Sequence, residues 1–98
     1  MEASIELREP DGISLRGDLR YATVTSIRER MEQLIATGSR RCVVDFTGVK
    51  SVDSSALSLW LCCQREAQRQ DVTLEARQVP EDLMSIARLV GLESIFDA

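Results

Sequence analysis

The side chains in this sequence that could carry out chemistry are mainly hydroxyls, carboxylates and thiols, and they are not arranged in a known catalytic pattern. There is no histidine, so Ser-His-Asp and Cys-His nucleophilic sites are excluded. Asp45 and Asp53 are candidate acid or base groups by residue type. However, the sequence shows no pairing of a nucleophile with a base that would use either of them. The glycines form neither a GxGxxG nor a Walker pattern. These features favour a protein that acts by binding and is not an enzyme.

The three cysteines, Cys42, Cys62 and Cys63, do not form a metal-binding pattern. Adjacent cysteines bridge poorly, CxxC spacing is absent, and there is no histidine to complete a zinc site. We therefore expect buried free thiols in a reducing compartment, with no metal and no cofactor.

The segment Asp53-Ser54-Ser55 is the main candidate site. It precedes a strongly apolar stretch, and Asp53 or Ser54 would serve as N-cap of a helix from about Ser54 to Arg69. A phosphate on Ser54 or Ser55 would carry about −1.5 to −2 charges beside unpaired backbone N–H groups. The segment is thus interpreted either as a plain helix cap or as an exposed site at a partner interface, with phosphorylation as a further possibility.

The elements that position this segment are predicted from periodicity and turn residues. We expect four strands at Ser4–Arg8, Ile13–Arg16, Arg41–Phe46 and Val72–Ala76, and three helices at Thr23–Thr37, Ser54–Arg69 and from Pro80 to Gly91. The predicted connections are a turn at Glu9–Gly12, a hairpin end at Gly17-Asp18, a helix end at Gly38, a loop at Thr47–Ser51 and a short terminal turn or helix through Leu92, Ile95 and Phe96. The order β-β-α-β-α-β-α predicts an α/β fold with a mixed sheet and helices on one face or at its ends.

The second helix is apolar around most of its first turns, including the run Leu59-Trp60-Leu61-Cys62-Cys63. A helix of this kind is either deeply buried or covered by another protein. The residues expected to face the core are Leu57, Trp60, Leu61 and Gln64, whereas those expected to meet a partner are Ser55, Ser58, Leu59 and Cys62. Trp60 could be either a core anchor or an interface hot spot.

Length and composition indicate one domain over residues 1–98. The net charge of −4 argues against nucleic acid as a partner. No apolar run reaches the roughly 18 residues of a membrane span, so direct membrane insertion is not expected. The polar start of the chain lacks the apolar region of a secretory signal, which favours a cytoplasmic location.

Four segments, taken in order along the chain, resemble the STAS family (sulfate transporter and anti-sigma factor antagonist). They are Leu15-Arg16-Gly17-Asp18-Leu19, Val43-Val44-Asp45-Phe46-Thr47-Gly48-Val49, Val52-Asp53-Ser54-Ser55-Ala56-Leu57, and Leu89-Val90-Gly91-Leu92 through Phe96. The resemblance implies a single STAS domain in which the helices pack against one side of a mixed sheet. The chain departs from the family at Arg20, where aspartate is frequent, and at Ala56, where glycine is frequent.

Within the family, the sequence most resembles the MlaB-like subunit of the bacterial phospholipid-transporting ABC system that maintains outer-membrane lipid asymmetry. This resemblance implies a non-catalytic subunit that binds and regulates or stabilises the transporter ATPase, and is held peripherally at the inner membrane by that partner. The alternative is an anti-sigma factor antagonist that binds a switch kinase and is controlled by phosphorylation of Ser54 or Ser55. In either case the predicted partner-binding residues are Asp53, Ser54, Ser55, Ser58, Leu59 and Cys62.

Overall fold

The computed structural model describes residues 3–8, 12–37 and 40–96. Its strands are β1 (Ser4–Arg8), β2 (Gly12–Leu19), β3 (Arg41–Val52) and β4 (Thr73–Arg77); its helices are α1 (Val24–Thr37), α2 (Ser54–Arg69), α3 (Glu81–Leu89) and a terminal 3₁₀ helix (Glu93–Phe96). The predicted order of elements is confirmed. Residues 9–11 of the predicted first turn and the predicted helix end at Gly38 lie outside the described residues.

The four strands form one sheet in the order β1-β2-β3-β4. β1 pairs with β2 antiparallel, whereas β2 with β3 and β3 with β4 are parallel pairs. Both parallel pairs are joined through a helix, and both connections step across the sheet in the same direction. Because such crossovers are right-handed, α1 and α2 pack on the same face. The mixed sheet with its helices on one side is as predicted.

The structure differs from the sequence prediction in the length of the two central strands. Gly17-Asp18, expected to end the hairpin, and Thr47–Ser51, expected to be a loop, belong to β2 and β3 and pair with each other through two register shifts. Gly17 has a φ of 87°, which glycine adopts without steric cost. A Cβ on Gly48 would lie 2.7 Å from Cγ of Arg16 and 3.0 Å from the carbonyl oxygen of Leu15, so glycine permits this close strand approach.

The core lies between the sheet and the helices. Cys42, Val44 and Phe46 of β3 face it and are buried, whereas Val43 and Asp45 on the opposite face are only half-buried. The helices therefore cover β3 on one face only. The further core residues contributed by the helices include Ile27, Met31, Ile35, Leu57, Trp60, Cys63, Leu83 and Ala87.

Trp60 is an anchor of this core. Only 2% of its surface is exposed, and its ring lies 5.6 Å from that of Phe46 in an edge-on arrangement and 5.6 Å from that of Phe96 in a stacked one. Its Nε1–H donates to the carbonyl oxygen of Ile95 over 2.9 Å. These contacts fix the 3₁₀ helix against α2 and settle the open assignment of Trp60 in favour of the core.

Candidate functional site

Asp53 is at the centre of the site. It directly follows the last residue of β3 and is the N-cap of α2. Its Oδ1 accepts a hydrogen bond from the backbone N–H of Ser55 at 2.8 Å, and its Oδ2 accepts one from the backbone N–H of Tyr21 at 3.0 Å. Partial burial alone would raise the pKa of Asp53, but these hydrogen bonds and the nearby charge of Arg20 outweigh it and lower the pKa. The carboxylate therefore joins the loop after β2 to the start of α2.

Further hydrogen bonds hold this loop in place. The backbone N–H of Asp53 donates to the carbonyl oxygen of Leu19 over 3.2 Å, and Nη1 of Arg20 donates to the carbonyl oxygen of Val52 over 3.2 Å. The hydroxyl of Thr23 donates to the carbonyl oxygen of Asp18 over 2.6 Å. Arg20, one of the departures from the family pattern, thus helps attach the loop to the end of β3.

The two candidate phosphorylation residues occupy different positions in the first turn of α2. Ser54 is exposed, whereas Ser55 is half-buried. Ala56, the second departure from the family pattern, is 2% exposed and belongs to the core. The hydroxyl of Ser54 is therefore more accessible than that of Ser55, and phosphorylation of either stays a prediction.

A groove of about 450 Å³ runs between the start of α1 and the outer face of α2. Its lining residues are Tyr21, Ala22, Val24, Thr25, Arg28, Ser55, Ser58, Leu59 and Cys62. The volume lies within the range of small-molecule sites, about 300–1,000 Å³. Four of the six predicted partner-binding residues therefore line one surface, and Asp53 and Ser54 lie beside it at the start of α2.

The lining residues differ in how far they reach solvent. Leu59 is only 4% exposed, so it offers a small apolar patch at the base of the groove and packs mainly in the core. Ser55 and Cys62 are half-buried, and Ser58 is exposed. The side chain of Tyr21 is 84% exposed at the edge of the groove. The groove thus combines an apolar base with hydroxyl groups and an aromatic rim.

The α1 side of the groove was not predicted from the sequence. Thr25 and Arg28 lie in the first turns of α1, and Tyr21 lies in the turn before that helix. The local pattern of α1 does not indicate this side of the groove. Only the packing of α1 beside α2 brings these residues to the surface that also contains Ser58 and Cys62.

The cysteines differ in their surroundings, which gives a direct chemical prediction. Burial, with a smaller contribution from Glu32, raises the pKa of Cys63 to about 12, and its Sγ lies 3.8 Å from Sδ of Met31. Cys42 is buried, whereas Cys62 is half-buried in the groove. At a pH near 8 we expect iodoacetamide to alkylate Cys62 at least about tenfold faster than Cys42 or Cys63, because the thiolate is the nucleophile.

Peptide mass spectrometry over a time course measures these three rates. Equal rates at all three thiols in the folded protein would contradict the burial described above, and equal rates after denaturation in urea provide the control.

No helix among the described residues has the length and apolar character needed to cross a membrane. Within the same residues, no cluster of three or more cysteine, aspartate or glutamate side chains is placed to hold a metal ion.

Comparison with known proteins agrees with this architecture. The chain matches the family described as Mlab, STAS domain, over residues 5–97, whereas no curated protein sequence matches it. Among solved structures it is similar to the unphosphorylated anti-sigma factor antagonist SpoIIAA, with 19% identity, a TM-score of 0.68, and coverage of 89% of this chain and 82% of that one. It is also similar to the phosphorylated Bacillus cell fate determinant SpoIIAA, with 19% identity, a TM-score of 0.70, and coverage of 92% of this chain and 84% of that one.

A third similar structure, of the protein Mglu, has 21% identity and a TM-score of 0.56, and the match covers 80% of this chain but 19% of that one. At these identities the solved structures show the fold alone. The family match covers nearly the whole chain and agrees with the resemblance to the STAS family found in its sequence motifs. The chain therefore belongs to the STAS domain family, in the group described as Mlab.

Proposed function

We propose that the protein is a non-catalytic accessory subunit that binds the ATPase of a phospholipid-transporting ABC system and stabilises or regulates it. The observation that carries the proposal is the groove between α1 and α2, which gathers Ser55, Ser58, Leu59 and Cys62 on one surface. The family match to the Mlab group supports this class of partner. In this proposal the domain lies at the cytoplasmic face of the inner membrane, held there by the ATPase.

The groove has the physical character of a protein-binding surface. An apolar base surrounded by hydroxyl groups matches the pattern of an interface with a desolvated centre and a polar rim. Tyr21, 84% exposed at the edge, belongs to a residue type that is enriched among interface hot spots. Because the backbone N–H of Tyr21 donates to Oδ2 of Asp53 over 3.0 Å, the backbone of this loop needs little ordering when a partner binds.

The test is co-purification of this protein with the purified ATPase subunit. Ser58→Arg places a long charged side chain in the groove, and we expect it to weaken binding about 30-fold or more, as for loss of a hot spot worth about 2 kcal/mol. Gln68→Arg is the matched control, since Gln68 is exposed on the same helix outside the groove. Equal retention of wild type, Ser58→Arg and Gln68→Arg would overturn the proposed surface.

A second function is an anti-sigma factor antagonist that binds a switch kinase. The observation favouring it is the exposed hydroxyl of Ser54 at the start of α2, in a fold similar to an antagonist solved in both phosphorylated and unphosphorylated forms. Intact mass after incubation with the switch kinase of the native host distinguishes the two functions. A gain of one phosphate that is lost in Ser54→Ala would favour the antagonist, and an unchanged mass would favour the transporter subunit.

A further inference from the structure

We propose that Arg28 determines the specificity of the groove, and that the partner segment seated there is an amphipathic helix with an aspartate or glutamate facing Arg28. This inference rests on the proposed function and names the chemistry of the partner at the same surface. The proposed occupant is a segment of a protein and not an anionic small molecule.

Arg28 is the one charged residue among the described residues that line the groove. Its side chain is exposed, and within the described part of the chain it forms no ion pair or side-chain hydrogen bond. The described arginines 41, 69, 77 and 88 each contact a glutamate. Arg28 is therefore a cation available to a partner, in a protein whose net charge is −4.

The length of the groove fits about two turns of a helix. On the α2 side it extends from Ser55 to Cys62, which is about two helical turns or about 10 Å. A partner helix would present side chains at one-turn intervals over this distance, the usual mode for helices bound in grooves. An apolar side chain would meet Leu59 and Val24, and a carboxylate one turn away could reach Arg28.

The start of α2 disfavours a bound phosphate as the occupant. Phosphate commonly binds the free N–H groups of a helix N-terminus, but here the carboxylate of Asp53 already accepts from the N–H of Ser55 at 2.8 Å. The N–H of Ser55 is therefore not available to a phosphate. A partner carboxylate facing Arg28 does not need the N–H groups of the helix start, and charge complementarity would then fix the orientation of the partner.

The experiment measures binding of the purified ATPase subunit to immobilised variants. We expect Arg28→Glu to weaken binding about tenfold or more at about 50 mM salt and less at about 300 mM salt, because screening reduces the repulsion. Arg28→Lys should remain within about threefold of wild type, since the positive charge that attracts the partner carboxylate is kept. Arg30→Glu is the matched control: Arg30 is exposed on the same helix but lies outside the lining, so its effect should be about twofold or less.

Comparison of Arg28→Glu with Ser58→Arg distinguishes failure of the facing carboxylate from failure of the groove as the binding surface. If Arg28→Glu binds like wild type while Ser58→Arg does not, the groove stands and the facing carboxylate is wrong. If both bind like wild type, the groove itself is wrong. Charge-swap variants complete the test: in the Arg28→Glu background, one partner Asp→Lys or Glu→Lys change on a helix should restore binding. Failure of every such change, or displacement of the wild-type complex by millimolar inorganic phosphate, would overturn the inference.

Discussion

Substitution of Trp60 by alanine is expected to lower the free energy of unfolding by about 3–5 kcal/mol. The indole is 2% exposed, packs against Phe46 and Phe96 at 5.6 Å each, and bonds to the carbonyl oxygen of Ile95 over 2.9 Å. Alanine would leave a large cavity among these rings. Since domains are stable by only about 5–15 kcal/mol in total, this variant should be close to unfolding, and urea denaturation at 25 °C measures the loss.

Two further variants show which part of Trp60 matters. Trp60→Phe keeps an aromatic ring but removes the Nε1 donor, so we expect a smaller loss of about 1–3 kcal/mol. The carbonyl of Ile95 still accepts from Nε2 of Gln64 at 2.7 Å, which limits the cost. Tyr21→Ala is the control, because an aromatic side chain that is 84% exposed should contribute about 0.5 kcal/mol or less. A loss below about 1 kcal/mol in Trp60→Ala would contradict the anchoring role.

Substitution of Asp53 by alanine is expected to cost about 1–2 kcal/mol of stability. It removes both the cap of α2, at 2.8 Å from the N–H of Ser55, and the bond to the N–H of Tyr21 at 3.0 Å. Asp53→Asn should lose less, because the amide oxygen can still cap the helix while its NH₂ cannot accept from the second N–H. Asp82→Ala is the control, since Asp82 is an exposed acid in the first turn of α3.

The contribution of Asp53 also has a defined pH dependence. Its pKa is lowered in the folded protein from the usual value of 3.8, so the folded state favours the ionised form. The associated stability is fully present above the unfolded pKa and is lost as the pH falls through the folded pKa. The stability difference between wild type and Asp53→Ala should therefore be constant from about pH 8 to pH 5 and shrink below about pH 4. A difference that grows on acidification would contradict this assignment.

The sequence allowed the helices and the Asp53 cap to be predicted because these depend on local signals. Apolar residues spaced one helical turn apart predicted α1. The side chain of Asp53, a hydrogen-bond acceptor just before an apolar run, predicted the start of α2. The extensions of β2 and β3 could not be predicted in this way. Thr47–Ser51 is polar and contains Gly48, which is typical of a loop, and it forms a strand only because β2 lies alongside it.

The candidate site was predicted on one side only. On the α2 side, Ser55, Ser58 and Cys62 could be predicted to lie together. They form a stripe of less apolar residues on a helix that is otherwise apolar, and this stripe is visible in the sequence. Arg28 and Tyr21 could not be assigned, because their role depends on how α1 packs beside α2, and this packing is a tertiary property that the local pattern of α1 does not contain.

The claim that the groove between α1 and α2 is the partner surface is tested most directly by the reactivity of Cys62. Its thiol lines the groove and is half-buried in the free protein. We predict that saturating amounts of the ATPase subunit slow alkylation of Cys62 at least about tenfold, since the bound partner excludes reagent, while Cys42 and Cys63 react slowly in both states. An unchanged rate at Cys62 in a fully formed complex would show that the ATPase binds elsewhere and would contradict the account.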